Sequence, residues 1–67
     1  MDPDVFMKSL GDRIWRMRRL RNLTQQELGE LSRLSYRLIG EIERGEKHPD
    51  REELDRIYMV LGIEREG

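Results

Sequence analysis

Apolar residues recur along the chain at helical spacing, in four segments separated by polar turns. The first segment places an apolar stripe, which includes Ile14 and Leu20, on one face of a helix ending near residue 21. The last segment, Leu54 to Leu61, repeats apolar residues at i, i+3, i+4 and i+7. Two shorter segments lie between them. The pattern predicts four helices and no strand.

Capping signals predict where these helices begin and end. Thr24 and Glu27 form a Thr-x-x-Glu capping box, Asp50 and Glu53 form a similar pair, and Ser35 is placed as the N-cap of the third helix. Gly11 interrupts the first stripe, so residues 1–9 either extend the first helix or form a separate arm. The expected left-handed stops are Asn22, Gly45 and Gly62.

Length and composition restrict the fold to one small all-α domain. The 67 residues leave no room for a second core. With no cysteine and only His48 as a soft ligand, neither a disulfide nor a metal site is expected, and no cofactor is implied. We expect no membrane partner and a cytoplasmic location, since no apolar run or export signal is evident. The prediction is a compact bundle of four short helices.

Net charge argues at first against an anionic partner, because 13 Lys and Arg face 14 Asp and Glu. The distribution changes this picture: residues 1–22 carry +3, residues 23–45 carry −1 and residues 46–67 carry −3. Much of the acid caps helices or lies in the tail, as Glu64 and Glu66 do. A near-neutral total therefore does not exclude nucleic acid.

The second and third helices are short and are separated by about three residues, which is the helix-turn-helix arrangement. Its second helix can pack one face on the core and leave the other free for a major groove. The residues expected on that free face are Tyr36, Arg37, Gly40, Glu41 and Arg44.

The run from Leu10 to Ile63 resembles the lambda-repressor-like, Cro/C1-type (XRE) helix-turn-helix family, through LTQQEL, IERG followed by Pro49, and a closing LG. The resemblance implies a central helix-turn-helix within one domain, residues 1–67, with a family-matching core at 10–63 and a tail at 64–67. The fifth helix of many relatives is missing. The turn, which usually carries a small residue, carries Arg33, where a positive φ would be unfavourable.

The resemblance also implies roles for individual residues. Tyr36, Arg37 and Glu41 would read bases, whereas Gln25 and Ser35 would contact the DNA backbone. An Arg in the first helix would pair with the Glu of IERG, which here means Arg18 and Glu43. Independent of the resemblance, Glu43 lies at the edge of the buried arc, where a carboxylate needs a charged partner. The further phosphate candidates are Arg44 and Lys47.

Arg37 is the strongest candidate for base reading, because a guanidinium can donate to guanine O6 and N7 together. Glu41 could accept from cytosine N4 or orient Arg37, and Tyr36 could stack or contact a thymine methyl. Gly40 would let the helix backbone approach the groove.

Trp15, Met59 and Val60 fall outside the buried arcs and form a possible dimer surface, unless the N-terminal Phe6 and Met7 cover them. The role of the arginines in the first helix stays open: they form either a solvated face or a phosphate-binding stripe. His48 is interpreted as a loop residue.

Together these features predict a sequence-specific DNA-binding transcriptional regulator of repressor type that acts as a homodimer on a double-stranded operator. The alternative is a protein-interaction module with the same fold, such as an antitoxin or adaptor. An enzyme is not expected, since no nucleophile, phosphate loop or paired carboxylates occur in an evident pocket.

Overall fold

The computed structural model describes residues 2–64, apart from the side chain of residue 4, and all regular structure in that range is helical. Most of the predicted tail, residues 65–67, lies outside the described residues. The prediction of an all-α bundle of four helices is confirmed. They are α1 (Pro3–Leu20), α2 (Gln25–Ser32), α3 (Tyr36–Glu43) and α4 (Arg51–Leu61). No helix in the described range is long and apolar enough to cross a membrane.

Each of the three later helices begins directly after a residue whose side chain caps it. Thr24 Oγ1 accepts from the N–H of Glu27 at 3.0 Å, and the Glu27 carboxylate accepts from the N–H of Thr24 at 2.9 Å. Asp50 and Glu53 form the same reciprocal pair at 2.8 and 2.9 Å. Ser35 Oγ accepts from the N–H three residues further on at 3.1 Å. These bonds satisfy donors that a helix start otherwise leaves open.

All four helices end in the same way, with one residue in the left-handed conformation. The residue after it donates its N–H to the carbonyl five positions earlier, as Leu34 does to Gly29 at 2.7 Å. This pattern is the Schellman motif. The left-handed residues are Asn22, Arg33, Gly45 and Gly62, with φ between 57° and 75°.

The connection between α2 and α3 is the tight turn of a helix-turn-helix, only three residues long. Arg33 begins it at φ 62° and ψ 40°, which is the unfavourable conformation expected for a non-glycine residue there. Leu34 then packs against the core, and Ser35 starts α3. The turn thus places the start of α3 directly after the end of α2.

The hydrophobic core draws buried side chains from all four helices. α3 packs against both α1 and α2, and α4 packs against α2. One side of α3 is therefore fixed on the core while its other side stays accessible. The core residues are Leu10, Ile14, Leu28, Ile39, Ile42, Leu54, Ile57 and Leu61.

Helix α1 continues through Gly11 without a break, so residues 3–9 extend the helix. A Cβ at position 11 would lie 2.5 Å from both the Ile42 and Glu43 carbonyl oxygens. Only glycine lets α1 approach the end of α3 this closely. Near the start of α1, the ring of Phe6 stacks on His48 with centroids 5.5 Å apart.

Two apolar residues lie differently from the predicted pattern. Leu20 was expected on the buried stripe but is 76% exposed, because it is the last residue of α1. Val60 was expected at the surface but is half-buried and packs against the core. The face of α4 in contact with the core is therefore wider than the i, i+3, i+4, i+7 stripe. Val60 is therefore a poor candidate for a dimer surface.

Candidate nucleic-acid interface

The N-terminal end of α3 presents two large side chains to solvent. Tyr36 is 60% exposed and Arg37 is exposed, with Ser35 beside them as the N-cap. Glu41, one turn after Arg37, is half-buried. Among residues 2–64, no group forms a hydrogen bond or an ion pair with the guanidinium of Arg37. Its guanidinium is therefore available to a ligand.

Gly40 does not lie on the open face of α3 as expected. It is buried, and a Cβ there would lie 3.0 Å from Arg44 Nη1 and 3.5 Å from Gln25 Oε1. Two polar side chains thus cover Gly40, one from the C-cap of α3 and one from α2. Because Gly40 has no side chain, Arg44 and Gln25 can pack over it, and the backbone of α3 is not exposed to solvent at this point.

A buried network ties α1, α2 and α3 together behind this surface. Arg18 Nε donates to Glu43 Oε2 at 2.6 Å and Arg18 Nη2 donates to Glu43 Oε1 at 3.0 Å. Arg18 Nη1 also donates to the Leu23 carbonyl at 2.8 Å. The two side chains are only 8% and 4% exposed, and a bidentate geometry compensates part of the desolvation of such a pair.

Gln25 joins this network at its outer edge. Its Nε2 donates to Glu43 Oε1 at 3.0 Å, so one carboxylate oxygen accepts from both Arg18 and Gln25. No buried side-chain nitrogen or oxygen in the described part of the chain lacks a partner. The network holds the amide of Gln25 in place at the first position of α2, next to α3.

The C-terminal end of α3 carries a second charged pair, which is open to water. Arg44 Nε donates to Glu46 Oε2 at 2.9 Å, and both side chains are more than half exposed. The hydrogen bond that Arg44 donates to Glu46, together with the negative charge of Glu46, raises the pKa of Arg44. Lys47, the next phosphate candidate, is exposed in the loop that follows. An exposed ion pair of this kind is worth little in stability and can exchange partners.

An open cleft of about 590 Å³ runs from the end of α1 past the start of α2 to the start of α3. We call it the α1–α2 cleft. Its lining contains two arginines and no carboxylate. The lining residues are Arg18, Arg19, Asn22, Leu23, Thr24, Gln25, Gln26 and Tyr36. Sequence reasoning missed Asn22 and Gln26 as members of this surface and left Arg19 open between a solvated face and a phosphate-binding stripe, because helical spacing does not show which residues meet across a turn.

The three residues of the predicted dimer surface are not equivalent. Met59 is 83% exposed and Trp15 is 45% exposed, whereas Val60 packs on the core. Trp15 lines a shallow depression on α1 that Met59 does not reach, and the guanidinium carbon of Arg19 lies 5.4 Å from the centroid of the Trp15 ring. The structure therefore does not join the three into one patch.

The four arginines of α1, together with Arg21 directly after it, also divide into different environments. Arg21 Nε donates to the carbonyl of Leu61, at the end of α4, at 2.9 Å. Arg13 and Arg16 are exposed on α1 and do not line the α1–α2 cleft. Arg19 does line it. The five arginines therefore form no continuous stripe, and Arg19 is the one that combines exposure with a place in the cleft.

Comparison with known proteins gives one family and one similar structure. A family model described as helix-turn-helix matches residues 16–67. The crystal structure of the clp gene regulator ClgR from Corynebacterium glutamicum superposes with a TM-score of 0.80 at 34% identity. The match covers 84% of this chain and 60% of that one, so the chain spans about 60% of the length of that regulator. No curated protein matches the sequence.

Proposed function

This chain belongs to the helix-turn-helix family, and from that membership we propose that it is a sequence-specific, double-stranded DNA-binding regulator of transcription, of repressor type. The family points to a DNA-binding regulator rather than an enzyme, and the similar structure is that of a gene regulator. The observation that carries the proposal is the guanidinium of Arg37, which has no partner in the described part of the chain and stands at the exposed start of a helix whose other side lies in the core.

In this proposal α3 enters the major groove with its N-terminal end foremost. An α-helix with side chains is about 10–12 Å wide and the groove is about 12 Å wide, so one helix fills it. Arg37 donates to the O6 and N7 of a guanine, and Tyr36 contacts a neighbouring base or thymine methyl. Glu41 is half-buried one turn after Arg37 and forms no ion pair with it among residues 2–64, so it would orient Arg37 or accept from cytosine N4 only in the complex with DNA.

The DNA backbone is held on both sides of α3. Ser35 and Arg44 cap its two ends, which at 1.5 Å per residue lie roughly 13 Å apart. Lys47 follows Arg44 in the loop, and Gln25 stands beside α3 on the first turn of α2. Contacts of these residues with phosphates would fix the register of α3 without specifying sequence.

The charge distribution sets the kind of binding that we expect. Arg18 is neutralised by Glu43 in the interior, and Arg44 is shared with Glu46. These two arginines are therefore less able to displace counterions from DNA. Binding to random sequence should be weak, and affinity for the operator should depend on the direct contacts of α3 and on a second subunit.

A homodimer is proposed because one short recognition helix reads only a few base pairs. Helix-turn-helix proteins pair on two-fold sites whose halves lie about 34 Å apart. Met59 is the best candidate for the contact, since Val60 packs on the core and Trp15 has Arg19 over its ring. Light scattering over a concentration series should give twice the chain mass of 8.1 kDa. A mass that stays at one chain would contradict the dimer.

Selection of binding sites from random duplexes tests the function. We expect an enriched two-fold motif, and we expect Arg37→Ala to lose discrimination at one base pair per half-site by about 1–3 kcal/mol. Arg13→Ala is the matched control, since Arg13 is an exposed arginine on α1, beside Tyr58 and outside the α1–α2 cleft.

Two results would contradict the proposal in different ways. If no motif is enriched and a pull-down recovers one stoichiometric protein, the chain is a protein-interaction module. If a motif is enriched but Arg37→Ala binds it as tightly as the parent, with the same salt dependence, α3 is not the reading helix.

A further inference from the structure

We propose that Arg19 is a DNA-phosphate contact at the α1–α2 cleft and that Trp15 is the positioning residue that holds it there. The inference rests on the proposed function, because it adds a backbone contact outside the helix-turn-helix itself. It also gives the exposed tryptophan a role in DNA binding, separate from the surface through which two chains would pair.

The geometry places Arg19 between an aromatic ring and the recognition surface. Trp15 and Arg19 are four residues apart on α1, so they stand on the same side of the helix, one turn apart. The guanidinium carbon lies 5.4 Å from the centroid of the indole ring, within the range of a cation–π contact. Arg19 also lines the cleft that Gln25 and Tyr36 line on its other side.

The charges of the cleft single out Arg19. Of its eight lining residues, all of them described, only Arg18 and Arg19 are charged. Arg18 is committed to Glu43 in the interior, whereas Arg19 has no carboxylate partner among residues 2–64. Arg19 therefore supplies the uncompensated positive charge of this cleft.

A guanidinium held over an aromatic ring is well suited to a phosphate. The cation–π contact does not use up the N–H donors of the guanidinium, which can still reach two phosphate oxygens. The contact also restricts the rotamers of a long side chain before binding, which reduces the entropy lost on contact. With Tyr36 entering the groove, the strand that borders the groove on the α2 side is the one that Arg19 would meet.

The experiment measures binding of Arg19→Ala to a selected operator duplex and to a random duplex, at about 50 and about 200 mM salt. One lost phosphate contact should weaken binding to both duplexes by the same factor, and the affinity lost between the two salt concentrations should become about threefold smaller. Arg16→Ala is the control, because Arg16 is exposed on the same helix outside the cleft. It should leave the salt dependence unchanged.

A double-mutant cycle tests the positioning role of Trp15. Trp15→Leu should weaken binding less than Arg19→Ala, and the double variant should bind like Arg19→Ala alone, because the indole acts through the arginine. Thermal unfolding of each variant checks that the fold is intact. Since Trp15 is the single tryptophan, its emission should change when DNA is added to the parent, and this change should shrink in Arg19→Ala.

The outcomes separate this inference from the function on which it rests. If the parent binds no duplex, the proposed function itself fails. If the parent binds but Arg19→Ala keeps its affinity and salt dependence, Arg19 is not a contact. If Trp15→Leu and Arg19→Ala weaken binding additively, Trp15 does not act by positioning Arg19. If the emission of Trp15 changes with protein concentration in the absence of DNA, Trp15 lies at a contact between two chains and not at the DNA surface.

Discussion

Arginine side chains have three different tasks in this domain. Arg18 is buried in an ion pair, while Arg21 and Arg56 donate to the carbonyls of Leu61 and Ser32 at 2.9 and 2.8 Å. Those carbonyls belong to the last residues of α4 and α2, where a positive charge is favourable. The remaining arginines face solvent to varying degrees. Arg18, Arg21 and Arg56 therefore stabilise the fold and are not available to bind DNA.

Sequence could not separate these tasks, because helical spacing indicates a face of a helix but not its distant neighbours. Arg21 and Leu61 are 40 positions apart, and only the tertiary fold brings the residue after α1 next to the last carbonyl of α4. The same reason explains the wrong expectation for Gly40, which Gln25 covers from another helix. The Arg18–Glu43 pair came from the family resemblance together with the position of Glu43, and geometry now places Gln25 on the same carboxylate.

Arg33 gives a prediction at the scale of one residue. Its left-handed conformation at φ 62° is strained for any side chain with a Cβ. Arg33→Gly should therefore raise the free energy of unfolding by about 0.5–2 kcal/mol, measured by urea or thermal denaturation. In a domain of this size, 1 kcal/mol corresponds to a Tm shift of about 4–8 °C.

The control for Arg33→Gly is the same change in an exposed helical position, Glu30→Gly in α2. It should lower stability by about 1 kcal/mol, because glycine loses more conformational entropy in a helix. Equal losses in the two variants would show that the backbone conformation of Arg33 carries no strain.

The limits of α2, α3 and α4 were predictable at the scale of elements because their capping signals are local. A capping box needs only four consecutive residues, and the pairs Thr24–Glu27 and Asp50–Glu53 are bonded as their spacing predicts. The continuity of α1 was not predictable in this way. Gly11 weakens a helix by its own propensity, and only its contact with the end of α3 shows why the helix continues through it.

Asp50→Ala tests the contribution of one capping box to the fold. The change removes the acceptor for the N–H of Glu53 at the start of α4, so the free energy of unfolding should fall by about 0.5–2 kcal/mol. Asp50→Asn keeps an acceptor at the same place and should lose much less. A far-ultraviolet circular dichroism melt measures both variants. Equal losses would mean that the charge of Asp50, and not its cap, stabilises α4.

At the scale of the whole molecule, the packing of α1 on α3 connects the fold to the proposed DNA surface. The two helices approach so closely at Gly11 that a methyl group would contact backbone oxygens. Two positions before Ile42, the buried Gly40 of α3 is covered by Arg44 and Gln25, which are proposed to contact DNA phosphates. A shift of α1 would therefore disturb both the core and the residues proposed to hold DNA.

Gly11→Ala tests this packing. Alanine favours a helix over glycine by about 1 kcal/mol, yet here the added Cβ would lie 2.5 Å from the Ile42 and Glu43 oxygens. We expect a net loss of stability of about 1–3 kcal/mol in thermal unfolding. Ser9→Ala, at an exposed position of the same helix, should be neutral or slightly stabilising. A rise in Tm for Gly11→Ala would contradict the close approach.

The carboxylate oxygen shared by Arg18 and Gln25 has a consequence for how such a protein can diverge. Loss of Glu43 would leave a buried guanidinium without its counter-charge, and loss of Arg18 would leave a buried carboxylate, so neither can change alone at small cost. Gln25 depends on the same atom for its orientation. Across descendants of this chain, the three positions should therefore covary, changing together while the residues of α3 that are proposed to read bases diverge freely.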